Sequence, residues 1–276
     1  MANRAPRDLR TLLLAVQVME DVDLVPTLVG VRLPGGHEVA LHHVRAAARG
    51  MVATAAGDRR ELAGWLRTVE RLAAMPTQLL RDMCRPVGLP PGHPLHPGDG
   101  WVSEALLGGA IDLGVGVLGL DPDRPELVEV FPATVWDAIG FDPMSVWPRC
   151  RRQLEEMGAL AARRWELSTD GRLLPMGDCD VVTLLGSASL RQVLAGTDGG
   201  MRAIVVPMRR RGWTRLSRLD PAFAPAAAMA TDEVDRGLMR PLLVTADEVV
   251  LAGEGGRIDI SVTDPVVERW VPTATS

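Results

Sequence analysis

Between Pro86 and Gly100 the chain places five prolines and four glycines in fifteen residues. Proline blocks a helix interior and removes a ladder donor, so this stretch is expected to be an irregular connection. It divides the reading of everything around it. Before it, apolar residues recur at helical intervals. Leu62, Trp65, Leu66, Val69 and Leu72 share one face, and Asp58 and Glu61 have the spacing of a capping box. Arg7–Glu20 reads as a first helix and Leu24–Leu33 as strand-like, with a turn at Pro34–His37. Residues 38–54 fit either a strand or a helix.

After it, Asp142-Pro143 reads as an N-cap with proline at the first helical position. Cys150, Leu154, Met157, Ala161 and Trp165 then trace one helix face. Beyond about residue 166 the period changes. Asp180–Leu185 reads as a buried strand, Ser187–Ala195 as a helix, and Met201–Val206 as a second strand. Strand, crossover and strand in about thirty residues is the pattern of a parallel βαβ unit. Pro221–Ala230 reads as a helix, with further strands at Pro241–Thr245 and Ile258–Val262. The expected architecture is therefore α+β or α/β. A mainly helical region, 1–165, packs on a small α/β region, 166–276, with a partly parallel sheet and a βαβ unit at 180–208.

No lysine occurs among the 276 residues, and no tyrosine. Schiff-base and pyridoxal chemistry need a lysine amine, and the Walker-A loop and the kinase signature each need a lysine. All four are excluded. The net charge of −5 argues against a globally electrostatic nucleic-acid binder. Three cysteines, Cys84, Cys150 and Cys179, lie far apart and form no CxxC, which reads as free thiols in a reducing cytoplasm. The longest apolar run, residues 105–120, is interrupted by Asp112 and five glycines, so no membrane span is expected. The short apolar run at Leu12–Val16 precedes an acidic segment, and no secretory leader is expected.

Charge is unevenly spread. Residues 202–218 carry six arginines and no acid, with Trp213 among them; residues 100–148 carry eight acids and one arginine. Complementary faces of this kind favour association. The expected function is a non-catalytic cytoplasmic assembly or accessory protein, a homo-oligomer or the partner of another protein, using these acidic and basic surfaces. The alternative is an enzyme or sensor that binds a phosphate-bearing small molecule. If 180–185 and 203–208 run parallel, their carboxyl ends share one sheet edge. Ser187 and Ser189 at a helix tip would then meet Arg209, Arg210 and Arg211, with Trp213 beside them.

Other motifs carry less. Gly114-x-Gly116-x-x-Gly119 matches a dinucleotide fingerprint by letter, but prolines at 122 and 125 follow where a helix should open. No cofactor is expected. The alternative is zinc on Cys84, His93 and His96, whose spacing matches no established zinc pattern. A serine nucleophile lacks its Gly-x-Ser-x-Gly setting, and no histidine follows His96. Cys179, between Asp178 and Asp180, is disfavoured as a thiolate.

Overall fold

A computed structural model describes residues 5–98, 101, 103–105, 109–196, 199–215 and 223–251. The expected strand at Ile258–Val262 and Arg218 of the basic stretch lie outside these residues. The chain forms two compact units that alternate along the sequence. Among the described residues, the first takes 5–84, 101 and 131–146; the second takes 85–98, 103–105, 109–130, 147–196, 199–215 and 223–251.

The first unit begins with helix α1 (Ala5–Met19), followed by a small sheet of β1 (Val25–Pro26), β2 (Gly30–Arg32) and β3 (Glu38–Ala40). Its order is β1-β2-β3, all antiparallel. Helices α2 (Leu41–Ala47), α3 (Ala56–Ala73), α4 (Thr77–Met83) and α5 (Ala133–Ile139) complete it. Residues 38–54 thus begin as a strand and continue as a helix. The apolar face of α3 is buried through Leu62, Leu66, Val69 and Leu72, against α1 on one side and α5 on the other. Trp136 of α5 is buried between Phe131 and Phe141, with ring centroids 5.7 and 5.4 Å away. Asp58 does not cap α3. The helix starts two residues earlier, after Ala55, and the Asp58 carboxylate accepts a hydrogen bond from the Val52 amide at 2.7 Å. Asp142 does cap the turn Pro143–Ser145, accepting from the Met144 amide.

The second unit holds two sheets. In one, β6 (Asp112–Leu118) lies between β4 (Cys84–Leu89) and β5 (Ser103–Ala105), and β7 (Val128–Val130) pairs with the far end of β6. The proline-rich stretch therefore opens as a strand. Pro86 is tolerated because β4 is at the sheet edge, where a missing donor costs least. Long helix α6 (Trp147–Leu167) follows. Then come β8 (Arg172–Leu173), the short helix α7 (Val181–Leu184), α8 (Ala188–Gly196), β9 (Met201–Met208), β10 (Arg211–Trp213), α9 (Phe223–Ala230), β11 (Leu242–Thr245) and β12 (Val249–Leu251). The second sheet has the order β12-β11-β9-β10-β8, and its pairings are antiparallel.

This overturns the expected partly parallel sheet. Residues 181–184 form a helical turn, so β9 has no parallel partner and no βαβ unit spans 180–208. The physical reason is local. Asp180 accepts from the Thr183 amide at 2.8 Å, an N-cap that starts a helix. Val181, Val182, Thr183, Leu184 and Leu185 are then buried all round, among Leu113, Leu154, Ile204, Val206 and Leu242. A short run that is buried on every side shows no period, so its letters cannot distinguish strand from helix.

Candidate functional site

The helix tip expected to receive an anion does hold one, and the chain supplies it. Ser187 is fully buried at the N-terminus of α8, and Glu155 of α6 reaches it. One carboxylate oxygen accepts from the Ala188 amide at 3.0 Å. The other accepts from Ser187 Oγ at 2.8 Å, Ser189 Oγ at 3.0 Å and the Ser189 amide at 3.1 Å. A helix N-terminus offers unpaired amides and partial positive charge, and a carboxylate satisfies both. Burial pushes the Glu155 carboxyl upward. The amide and hydroxyl donors together outweigh it and leave the group below its ordinary value. Gly158 makes this contact possible. A Cβ there would overlap Ser187, so only glycine lets α6 lie this close to α8. Sequence reasoning missed Glu155. Its trace in the sequence is the unusual Gly158 inside a helix, one turn beyond a glutamate.

The arginines divide. Arg209 and Arg210 form the turn between β9 and β10. Arg209 points inward and is buried; its Nη2 lies 2.6 Å from Asp180. Its carbonyl accepts from the Val181 amide and its amide donates to the Asp235 carbonyl, each at 2.8 Å. Arg202 donates to the Leu194 carbonyl at 2.8 Å and lies 4.9 Å from the Trp165 ring. Arg210, Arg211 and Arg215 are exposed and form no ion pair among the described residues. Half-buried Trp213 lies across from Arg172 of the edge strand β8. The parallel edge that was to join serines and arginines is absent. Ser187 and Ser189 answer to Glu155, Arg209 answers to Asp180, and Arg210 and Arg211 face solvent.

His93 and His96 are similarly engaged. Nδ1 of His93 accepts from the Leu95 amide at 3.1 Å, so Nε2 carries the proton and donates to the Arg236 carbonyl at 3.0 Å. Burial, then the nearby Arg209 charge, pulls its pKa down to about 4. Nδ1 of His96 accepts from the Gly98 amide, and Nε2 donates to Asp112 at 3.0 Å. Both ring nitrogens of each residue are occupied as placed. Cys84 belongs to the other compact unit, where its thiol donates to the Leu80 carbonyl at 3.2 Å. Among the described residues no group of three or more His, Cys, Asp or Glu side chains is placed to hold a metal ion.

Neither remaining thiol is primed for attack. Cys179 is buried, and its pKa is pushed up to about 12 by burial first and then by Asp180 and Asp178. Burial also raises that of Cys150. The Gly114–Gly119 motif falls within and just after β6, where a Cβ on Gly116 would press on Glu129 and Val128 of β7. Its glycines serve strand packing, and no helix opens there. A cavity of about 10 Å³ lined by Trp165, Arg164, Arg172, Leu173 and Leu174 has room for about one water.

No family model, no curated protein and no solved structure matches this chain. No helix among the described residues is long and apolar enough to cross a membrane.

Proposed function

We propose that this chain is a non-catalytic assembly or accessory protein of the cytoplasm, which uses its exposed arginines to bind an acidic protein surface. One observation carries the reading. The groups of the expected anion and zinc sites, Ser187, Ser189, Arg209, His93 and His96, have internal partners, whereas Arg210, Arg211 and Arg215 stand in solvent beside Trp213 with no ion pair among the described residues. Arginine with an aromatic neighbour is typical of interface anchors, because guanidinium is weakly hydrated and stacks well. The acidic stretch offers a matching surface on a like molecule through exposed Asp123 and Glu126.

The test is light scattering of the full chain, alone and as Arg210→Glu/Arg211→Glu. Assembly through these charges is expected to fall steeply as salt rises from about 50 to about 500 mM, since exposed charges are screened over that range. The double variant is expected to scatter as a monomer at low salt. A wild-type mass that is independent of both salt and charge reversal overturns the reading.

A further inference from the structure

The first unit exposes apolar side chains in one short stretch of sequence. Leu14, Val18 and Met19 stand out from the second half of α1, and Val25, Leu28 and Val29 from the β1–β2 hairpin. Val18 is 80% exposed and Leu28 fully so. Large apolar groups scattered singly need no explanation, but a concentration of this kind marks a contact surface.

The hairpin tip is firmly held. The Thr27 amide donates to the Gly30 carbonyl at 2.9 Å, and the Gly30 amide donates to Thr27 Oγ1 at 3.0 Å. Thr27 Oγ1 donates to Glu38, and the Leu41 amide donates to the Val29 carbonyl. A Cβ on Gly30 would overlap the Val39 carbonyl, so the turn is packed directly against β3. Leu28 and Val29 are therefore presented outward by a fixed turn. That arrangement lowers the ordering cost of a contact.

Charge selects the occupant. Exposed Asp21 and Asp23 lie between the two apolar segments; of the cations nearby, Arg32 across from Val25 pairs with Glu38, and the Arg67 guanidinium donates to the Glu20 and Asp21 carbonyls. The two carboxylates disfavour an anionic membrane and disfavour this face meeting its own copy, where like charges would oppose. They suit a basic, partly apolar surface. This chain carries one on its second unit: Arg211 and Trp213 of β10, near half-buried Leu174 and beside Arg172 of the edge strand, which itself pairs with Asp170 at 3.2 Å.

We propose that the Leu28–Val29 hairpin of one molecule docks on the Arg211–Trp213 edge of a second copy, with Asp21 and Asp23 facing arginine. This rests on the reading of the arginines as a contact surface and sets the hairpin, in place of Asp123 and Glu126, as what covers them. A contact between two different surfaces leaves a free hairpin at one end and a free arginine edge at the other. Assembly then continues into a filament unless it closes into a ring.

Complementation tests it. Leu28→Asp/Val29→Asp keeps the arginine edge, and Arg210→Glu/Arg211→Glu keeps the hairpin. Each variant alone is expected to be monomeric at concentrations where wild type assembles, with association weakened about tenfold or more. Mixed in equal amounts they should form a 1:1 dimer that grows no further, because only one intact pair of surfaces remains. Circular dichroism of each variant establishes that it is folded, which the exposure of the substituted side chains favours. A wild type that stays monomeric overturns both this inference and the reading beneath it. Loss of assembly in the arginine variant and in Asp123→Arg/Glu126→Arg, but not in the hairpin variant, overturns only the hairpin contact. Loss in the hairpin variant with none in the arginine variant overturns the head-to-edge pairing.

Discussion

A carboxylate that accepts four hydrogen bonds from one helix tip stabilises the fold only while it is ionised. Glu155 does this for α8. Its folded pKa is held below the ordinary 4.5, so its contribution is complete above that value and is lost as pH falls through the folded one. Glu155→Gln is expected to lower unfolding free energy by about 1–2 kcal/mol at pH 7 in urea titrations. The gap between variant and wild type should narrow in acid. Gly158→Ala tests the same junction from the other side. The added methyl must displace buried Ser187, at a cost of about 1–3 kcal/mol. His93 behaves in the opposite sense to an exposed histidine. With its pKa pulled down to about 4, it opposes protonation in the folded state, and its stabilising share fades as pH drops from 6.5 toward 4. Its ring carbon resonances should titrate near 4 by NMR, and a midpoint near 6.5 would contradict the buried placement. At this scale the sequence was partly legible. Ser187 as a helix start is plain from its letters, but its partner lies thirty-two residues away on another helix, and no local spacing reveals it.

Elements with one wet face were readable, because burial on a single side leaves a period. The buried stripes of α3 and α6 follow their expected positions closely. Helix α7 was not readable, for the opposite reason: every residue from Val181 to Leu185 is buried, and β-branched letters suggested a strand. What decides the outcome is Asp180, which caps α7 and pairs with Arg209 in one stroke. Had 180–185 been a strand, the arginine turn would have had a parallel neighbour. As a cap, Asp180 instead ties α7 to the turn of an antiparallel hairpin. Asp180→Ala removes the cap and leaves a buried guanidinium without its counter-ion. The expected loss is about 3–5 kcal/mol, well above that of a surface ion pair. Asp180→Asn keeps a capping oxygen but turns an amide NH2 toward Arg209, and should fall between, so its loss relative to wild type reports chiefly the missing counter-ion. Thermal melts of the three proteins at pH 7 rank them. If Asp180→Ala melts within about a degree of wild type, the role assigned to this residue is wrong.

At the scale of the whole chain, the first unit is discontinuous. Residues 1–84 build α1 to α4, but the buried faces of α2 and α3 are closed by α5, which arrives only at residues 133–139. Trp65 donates to Thr134 Oγ1 at 3.2 Å, and His37 Nε2 lies 3.0 Å from the Ala138 carbonyl. Periodicity marks where helices are and says nothing about which earlier helix a later one rejoins, so this return was invisible in the letters. It has a consequence for folding. A fragment ending at residue 84 lacks Val135 and Trp136, both nearly fully buried in the whole protein, and would leave the part of α3 that packs on α5 facing water. The loss of two large core side chains costs several kcal/mol, comparable to the total stability of a small domain. The fragment is expected to bind a hydrophobic dye and to show poorly dispersed amide resonances, as a collapsed chain without fixed packing does. Joining residues 131–146 to it through a flexible glycine-serine linker should restore dispersion and a cooperative melt. If residues 1–84 alone give a sharp, dispersed spectrum, α5 is an accessory to this unit and its core is complete without the returning segment.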